Sequence, residues 1–141
     1  MAGIIEHGRD DIIWLAETGF CYLELGDATA ARETFAGLVA LAPDNASFQA
    51  ALGESFSREG SLEEARDALK TAVKLDPGLA YARCLLGDVL ARSKRKEPAV
   101  DELRKAIKLD PDGPVGSTAK TILAGIEDEV YPPPPGEGVN G

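Results

Sequence analysis

The stretch "LVALAPDNA" (Leu38 to Ala46) is echoed by "AVKLDPGLA" (Ala72 to Ala80) and again by "AIKLDPDGP" (Ala106 to Pro114), so that Pro43, Pro77 and Pro111 stand at one constant interval. A fixed interval of this length is the mark of one structural unit written in tandem. Blocks of 34 starting at Ile12, Ala46 and Ala80 place a glycine in each first half, at Gly19, Gly53 and Gly87, and an alanine in each second half, at Ala31, Ala65 and Ala99. Gly26 and Gly60 separate the halves of the first two blocks. Each block therefore reads as a helix, a short turn and a second helix.

The small residues have a physical task. Glycine or alanine at a helix crossing removes the side chain that would hold two backbones apart. Large apolar residues then fill the space around the contact: Leu15, Tyr22 and Phe35, then Leu52, Phe56 and Leu69, then Leu86, Leu90 and Leu103. Each proline closes a second helix, because the residue before it is pushed out of the α region.

With 141 residues, 44% of them hydrophobic, the chain can bury one core and is expected to form one domain. The start "MAGIIEHGRDD" lacks a basic run followed by an apolar one, and no stretch of about 18 apolar residues occurs, so a soluble, cytoplasmic protein with no membrane partner is expected. Net charge is −9; residues 1–57 hold two basic and nine acidic groups, while residues 58–109 hold twelve and nine. Phosphate backbones are repelled by that balance, which argues against nucleic acid as a partner. "KRK" at Lys94 to Lys96 reads as a solvated connection. Cys21 and Cys84, well separated in the chain and with no clustered histidine, read as reduced thiols acting as small hydrophobes, with no metal site.

Beyond Pro111, "DGPVGSTAKTILAGIEDEV" offers Pro114 as a helix start and Val115, Ala119, Ile122 and Ile126 at near-helical spacing. A stack of repeats leaves its last apolar face bare, and a terminal helix polar on the outside covers it. The expected layout is an N-terminal segment (1–11), three blocks (12–45, 46–79 and 80–113), a capping helix (114–130) and the tail "YPPPPGEGVNG" (131–141), extended or disordered.

The repeated residues resemble the tetratricopeptide repeat family over residues 12–113. The matching positions are Gly19, Tyr22, Ala31, Phe35 and Pro43; Leu52, Gly53, Phe56, Ala65, Ala72 and Pro77; and Leu86, Gly87, Ala99, Ala106 and Pro111. Three departures accompany them: Leu38 replaces the small Ala72 and Ala106, Lys94 stands where Gly26 and Gly60 sit, and Pro98 lies early in the last second helix. The resemblance implies an all-α fold, a right-handed superhelix of three antiparallel helix hairpins plus a capping helix. It also implies a concave groove, lined by each block's first helix, that binds peptides or partner proteins. Carried over residue by residue, the groove takes Ile13, Ala16, Glu17, Phe20, Leu23 and Glu24 from the first block, Ser47, Ala50, Ala51, Glu54 and Arg58 from the second, and Tyr81, Cys84, Leu85, Asp88 and Arg92 from the third.

Relatives that clamp a chain-terminal carboxylate of heat-shock chaperones carry Lys, Asn and Arg at several such positions, where this chain has Ala16, Phe20, Ala51, Tyr81 and Leu85. The expected groove is apolar: Phe20, Leu23, Tyr81 and Leu85 around Ala16, Ala50, Ala51 and Cys84. Three arrangements fit those residues: groove lining, service in the intramolecular core, or a terminal segment folded over them. A narrower likeness, in "FAGLVALAPDNASFQAALGES" and "ARCLLGDVL", is similar to the chaperones of type III secretion translocators, which hold an extended, partly hydrophobic client segment. Self-association is the remaining reading, with Ile4 and Ile5 capping the first hairpin or joining an interface. No catalytic motif or cofactor site is evident, since His7 is the one histidine and no serine or cysteine is paired with a base. The chain is accordingly expected not to be an enzyme and to act as an adaptor or assembly factor.

Overall fold

Left-handed turns bend the chain into hairpins. Gly26 and Gly60 adopt φ of 80° and 84°, conformations in which a Cβ is strained. Lys94 takes the same turn at φ 62° with its side chain in place. The structure is a computed structural model that describes residues 8–133. The described residues form seven helices, α1 (Arg9–Leu25), α2 (Ala28–Leu41), α3 (Ala46–Arg58), α4 (Leu62–Leu75), α5 (Ala80–Arg92), α6 (Lys96–Leu109) and α7 (Pro114–Glu127), and no strand occurs among them. Ile4, Ile5 and His7, and the Pro-rich tail from Pro134 onward, lie outside the described residues.

Local chemistry sets the ends. Asp27 and Asn45 accept from the backbone N–H of Ala30 and Phe48, capping α2 and α3. The residues before the three prolines, Ala42, Asp76 and Asp110, leave the helix at φ near −140°, one residue after α2, α4 and α6 end. Pro98 sits in the first turn of α6, where a missing N–H costs nothing. Helix α1 begins at Arg9, ahead of the first repeat block, with Asp10 and Asp11 in its first turn favoured by the helix dipole.

The paired helices cross where the small residues are. A Cβ placed on Gly53 would lie 2.6 Å from Leu69 Cγ and 3.2 Å from the Ala65 carbonyl; on Gly87 it would meet Leu103 Cγ at 2.6 Å and the Ala99 carbonyl at 3.2 Å. In the first hairpin the Phe35 ring stands 2.7 Å from the equivalent point on Gly19. Phe35, Leu69 and Leu103, which hold the same place in successive blocks, are wholly buried, as are Ala31, Ala65 and Ala99. Leu38 is also buried, so the first hairpin takes a larger side chain where the others carry Ala72 and Ala106.

Each hairpin packs on the next: α2 on α3 and α4 on α5, with the first helices α1, α3 and α5 side by side and α7 continuing their row against α5 and α6. Arg32 of α2 pairs with Glu59 beyond α3 at 2.6 Å, tying the first hairpin to the second. Helix α7 is seated closely. The Asp110 carboxylate accepts from the N–H of Val115 (3.0 Å) and Gly116 (3.1 Å), and a Cβ on Gly116 would fall 1.6 Å from the Asp110 carbonyl oxygen. No described helix is long and apolar enough to cross a membrane.

Candidate functional site

The repeat register places side chains of α1, α3 and α5 on one face of the row of first helices, and the structure sorts them into three groups. Seven come together around two adjoining hollows. One, of about 250 Å³, is lined by Glu54, Tyr81, Cys84, Leu85, Pro114, Val115 and Thr118. The other, of about 330 Å³, is lined by Glu54, Ser57, Arg58, Leu85, Asp88 and Arg92. Glu54 and Leu85 border both, so the two form one continuous depression.

A second group is exposed but stands apart from it. Ile13, Glu17, Glu24 and Ser47 are exposed, Ala16 is half-buried, and the partly exposed Phe20 meets Phe35 edge-on with ring centroids 5.0 Å apart. The third group corrects the expectation of an apolar groove floor. Leu23 (4% exposed), Ala50 and Ala51 (0%) are core residues, because α3 packs against its neighbours on that side. Cys84, 6% exposed, belongs to the core as well and shows only its edge to the first hollow.

The depression is apolar at one end and ionic at the other. Tyr81, Leu85, Pro114 and Val115 make the apolar end. Glu54 and Arg58 form an ion pair at 3.0 Å, one helical turn apart, and Asp88 and Arg92 repeat it at 3.0 Å on α5. Arg58 also donates to the Leu23 carbonyl at 2.7 Å. The Tyr81 hydroxyl donates to Glu54. Burial, reinforced by the Glu54 charge, pushes the Tyr81 hydroxyl far above its ordinary pKa, so it stays a donor. Burial, with Asp88 and then Glu54, pushes the Cys84 thiol up to about 11, which keeps it protonated and unreactive at neutral pH. Cys21, by contrast, is exposed on α1 and is not the small core hydrophobe expected of it.

Four residues lining the depression escaped the sequence reading. Pro114, Val115 and Thr118 are one further register step from Ala80, Tyr81 and Cys84, so extending the repeat past the third block finds them. Ser57 follows from the same register, one step on from Leu23. Tyr131, which reaches the depression from outside, has no such signal. Glu129 turns with φ 60°, the N–H groups of Val130 and Tyr131 donate to the Gly125 carbonyl, and the chain doubles back. The Tyr131 hydroxyl then donates to Asp88 and accepts from Arg92 Nη2 at 3.1 Å, with the guanidinium 5.6 Å from the ring centroid. No group of three or more His, Cys, Asp or Glu side chains among the described residues could hold a metal.

Helix hairpins repeating at a constant interval, crossing at glycine and alanine and stacked in one row, define a helical-repeat protein. The family model described as tetratricopeptide repeat matches residues 22–80 and 51–114, well over half of the sequence, and the chain belongs to that family. Among solved structures, the Yersinia enterocolitica type III secretion translocator chaperone SycD superposes with a TM-score of 0.78 at 18% identity, covering 91% of each chain. The first repeat domain of Spaghetti (RPAP3), bound to an HSP90 peptide, gives 0.76 at 18% identity, covering 87% of this chain and 95% of that one. A Thermobaculum terrenum O-GlcNAc transferase gives 0.70 at 31% identity over 76% of this chain, which spans only 21% of that enzyme. No curated protein matches the sequence.

Proposed function

We propose that this chain is a non-enzymatic, cytoplasmic protein-interaction module that holds an extended partner segment along the depression on the concave side of its superhelix. The observation that carries the reading is the continuity of the two hollows through Glu54 and Leu85, which offers an apolar seat beside a row of fixed donors and acceptors. An extended segment would place an apolar side chain against Tyr81, Leu85 and Val115 and run its backbone past the Glu54–Arg58 and Asp88–Arg92 pairs. Both guanidinium groups are already paired with carboxylates of their own helices, so an acidic chain terminus gains little here. That disfavours a carboxylate clamp and favours a neutral, partly apolar ligand.

The test is to select peptides against the protein by phage display and map the best by amide chemical-shift perturbation. Perturbations centred on Glu54, Tyr81, Leu85 and Asp88, lost in Leu85→Glu with helicity retained, support the reading; perturbations confined to α2, α4 and α6 defeat it.

A narrower reading, a chaperone for a type III secretion translocator, is favoured by the end-to-end match to SycD. SycD has also been solved with a peptide of the translocator YopD, at a TM-score of 0.75 to this chain. Co-expression with a translocator from the same genome that yields a stable, soluble complex would support that role; failure with every such translocator would leave the general adaptor.

A further inference from the structure

Trp14, Thr18, Cys21 and Leu25 follow one another at helical spacing along α1, which puts them on one stripe of the helix, away from the depression. All but Thr18 are exposed, Trp14 at 64% and Leu25 at 80%. One register step on, the same stripe is Phe48, Leu52 and Ser55 of α3 and Glu59 just beyond it. Two steps on, it is Ala82, Leu86 and Val89 of α5 and Ser93 just beyond it. There it is the seat of the preceding hairpin: Phe48 and Leu52 share a cluster with Phe35 and Leu38 of α2, and Leu86 and Val89 with Leu69 and Ala72 of α4. The α1 stripe is thus a helix-docking seat, repeated three times in the fold and filled by α2 and α4 at the other two.

Its edges carry one sign of charge. Asp10, Asp11, Glu17 and Glu24 flank the stripe, against a single basic residue in α1, Arg9, and none of the four acids is ion-paired among the described residues. A second copy docked face to face would bring two such sets of carboxylates together. A head-to-tail copy fares no better, because α7 presents exposed Ser117, Lys120, Thr121 and Glu127.

We propose that this stripe docks an amphipathic helix of a partner protein, about three turns long, whose apolar ridge is flanked by Lys or Arg and which takes the place that α2 takes against α3. The site is separate from the depression and does not depend on what binds there.

Trp14 is the sole tryptophan and lies within the proposed contact, so its emission reports docking directly. The probe is a helical peptide of about three to four turns with a leucine ridge and lysine flanks, compared with the same peptide carrying glutamate flanks. The full chain, dilute and alone, should show the red emission of an exposed indole. The lysine peptide should shift it to the blue saturably, and the glutamate peptide should bind about tenfold or more weakly. Cys21→Ser/Leu25→Ser should abolish the shift with helicity and melting unchanged, while Phe20→Glu should retain it. Four outcomes overturn the proposal: no shift with the lysine peptide; equal binding of both peptides; a blue shift that grows with chain concentration alone, meaning a second copy; or blue emission in the dilute chain that turns red when residues 1–7 are deleted.

Discussion

The hydroxyl of Tyr131 is bonded to the carboxylate of Asp88, far back in the chain on α5, and this bond ties the segment leaving α7 to the ionic end of the depression. Arg92 completes the triad, donating to the same hydroxyl and standing over the ring. The chain thereby occupies, with its own tyrosine, polar groups that on the proposed function a partner's backbone runs past.

Tyr131→Phe keeps the ring beneath the guanidinium and removes both hydrogen bonds. The variant should lose about 1 kcal/mol in urea titration, the net worth of a partly exposed hydrogen bond to a charged group. Peptides selected against the depression should bind it more tightly than wild type, because Asp88 and Arg92 are released. An unchanged urea midpoint would show that the bond contributes nothing in solution.

Gly53→Ala should destabilise the chain by about 1 to 3 kcal/mol, because the new methyl group meets Leu69 Cγ at 2.6 Å. Helix propensity alone predicts the opposite, a gain of about 1 kcal/mol. The two are separated by repeating the substitution in a Leu69→Ala background, where the obstruction is gone and Gly53→Ala should become neutral or stabilising. Stabilisation in the wild-type background would refute the close crossing.

Lys94→Gly should raise stability by roughly 0.5 to 1 kcal/mol, the balance of two opposed effects. The residue holds φ 62°, where a Cβ costs about 1 to 2 kcal/mol, offset in part by the greater freedom of glycine in the unfolded chain. Thermal melting of the single variant suffices, and a lowered melting temperature would count against the turn geometry.

The two thiols should react differently. At pH 8 an alkylating reagent should modify the exposed Cys21 within minutes and Cys84 only on unfolding. Because the folded pKa of Cys84 is raised, from the usual 9.0 to about 11, the protonated thiol is the form the fold favours. Its contribution is whole below pH 9 and is lost as pH climbs towards 11. Tyr81 and Tyr131, raised by burial and by their carboxylate partners, act in the same direction above pH 10. Unfolding free energy should therefore fall steeply on the alkaline side, and less steeply in Tyr81→Phe. A flat alkaline profile would mean that these groups are solvated.

The fold was readable because its constraints are local and repeated. Gly53 against Leu69 and Gly87 against Leu103 are the same contact made twice, and Pro43, Pro77 and Pro111 act on the residue just before them. The site was less readable. Register tells which face of a helix a residue occupies, but Ala50 and Leu23 share that face and are buried by the neighbouring hairpin, while Glu54 and Arg58 are left at the surface to pair. Charge at the depression was visible as Glu54, Arg58, Asp88 and Arg92, and their spacing of four allows each arginine to pair on its own helix, but it does not say that Arg58 also reaches the Leu23 carbonyl or that Tyr131 joins Asp88 and Arg92.

What the sequence determined by itself is the period, the hairpins and the row of first helices, since each follows from a steric or backbone rule acting within a few residues or across one crossing. The tertiary structure alone decided where that row opens and what closes it. Helix α7 walls one end of the depression and Tyr131 reaches back to the other, while the Trp14 stripe has, among the described residues, no neighbour of the kind its equivalents have. These outcomes depend on which surfaces meet in space, and burial and pairing are properties of the meeting and not of either stretch of sequence.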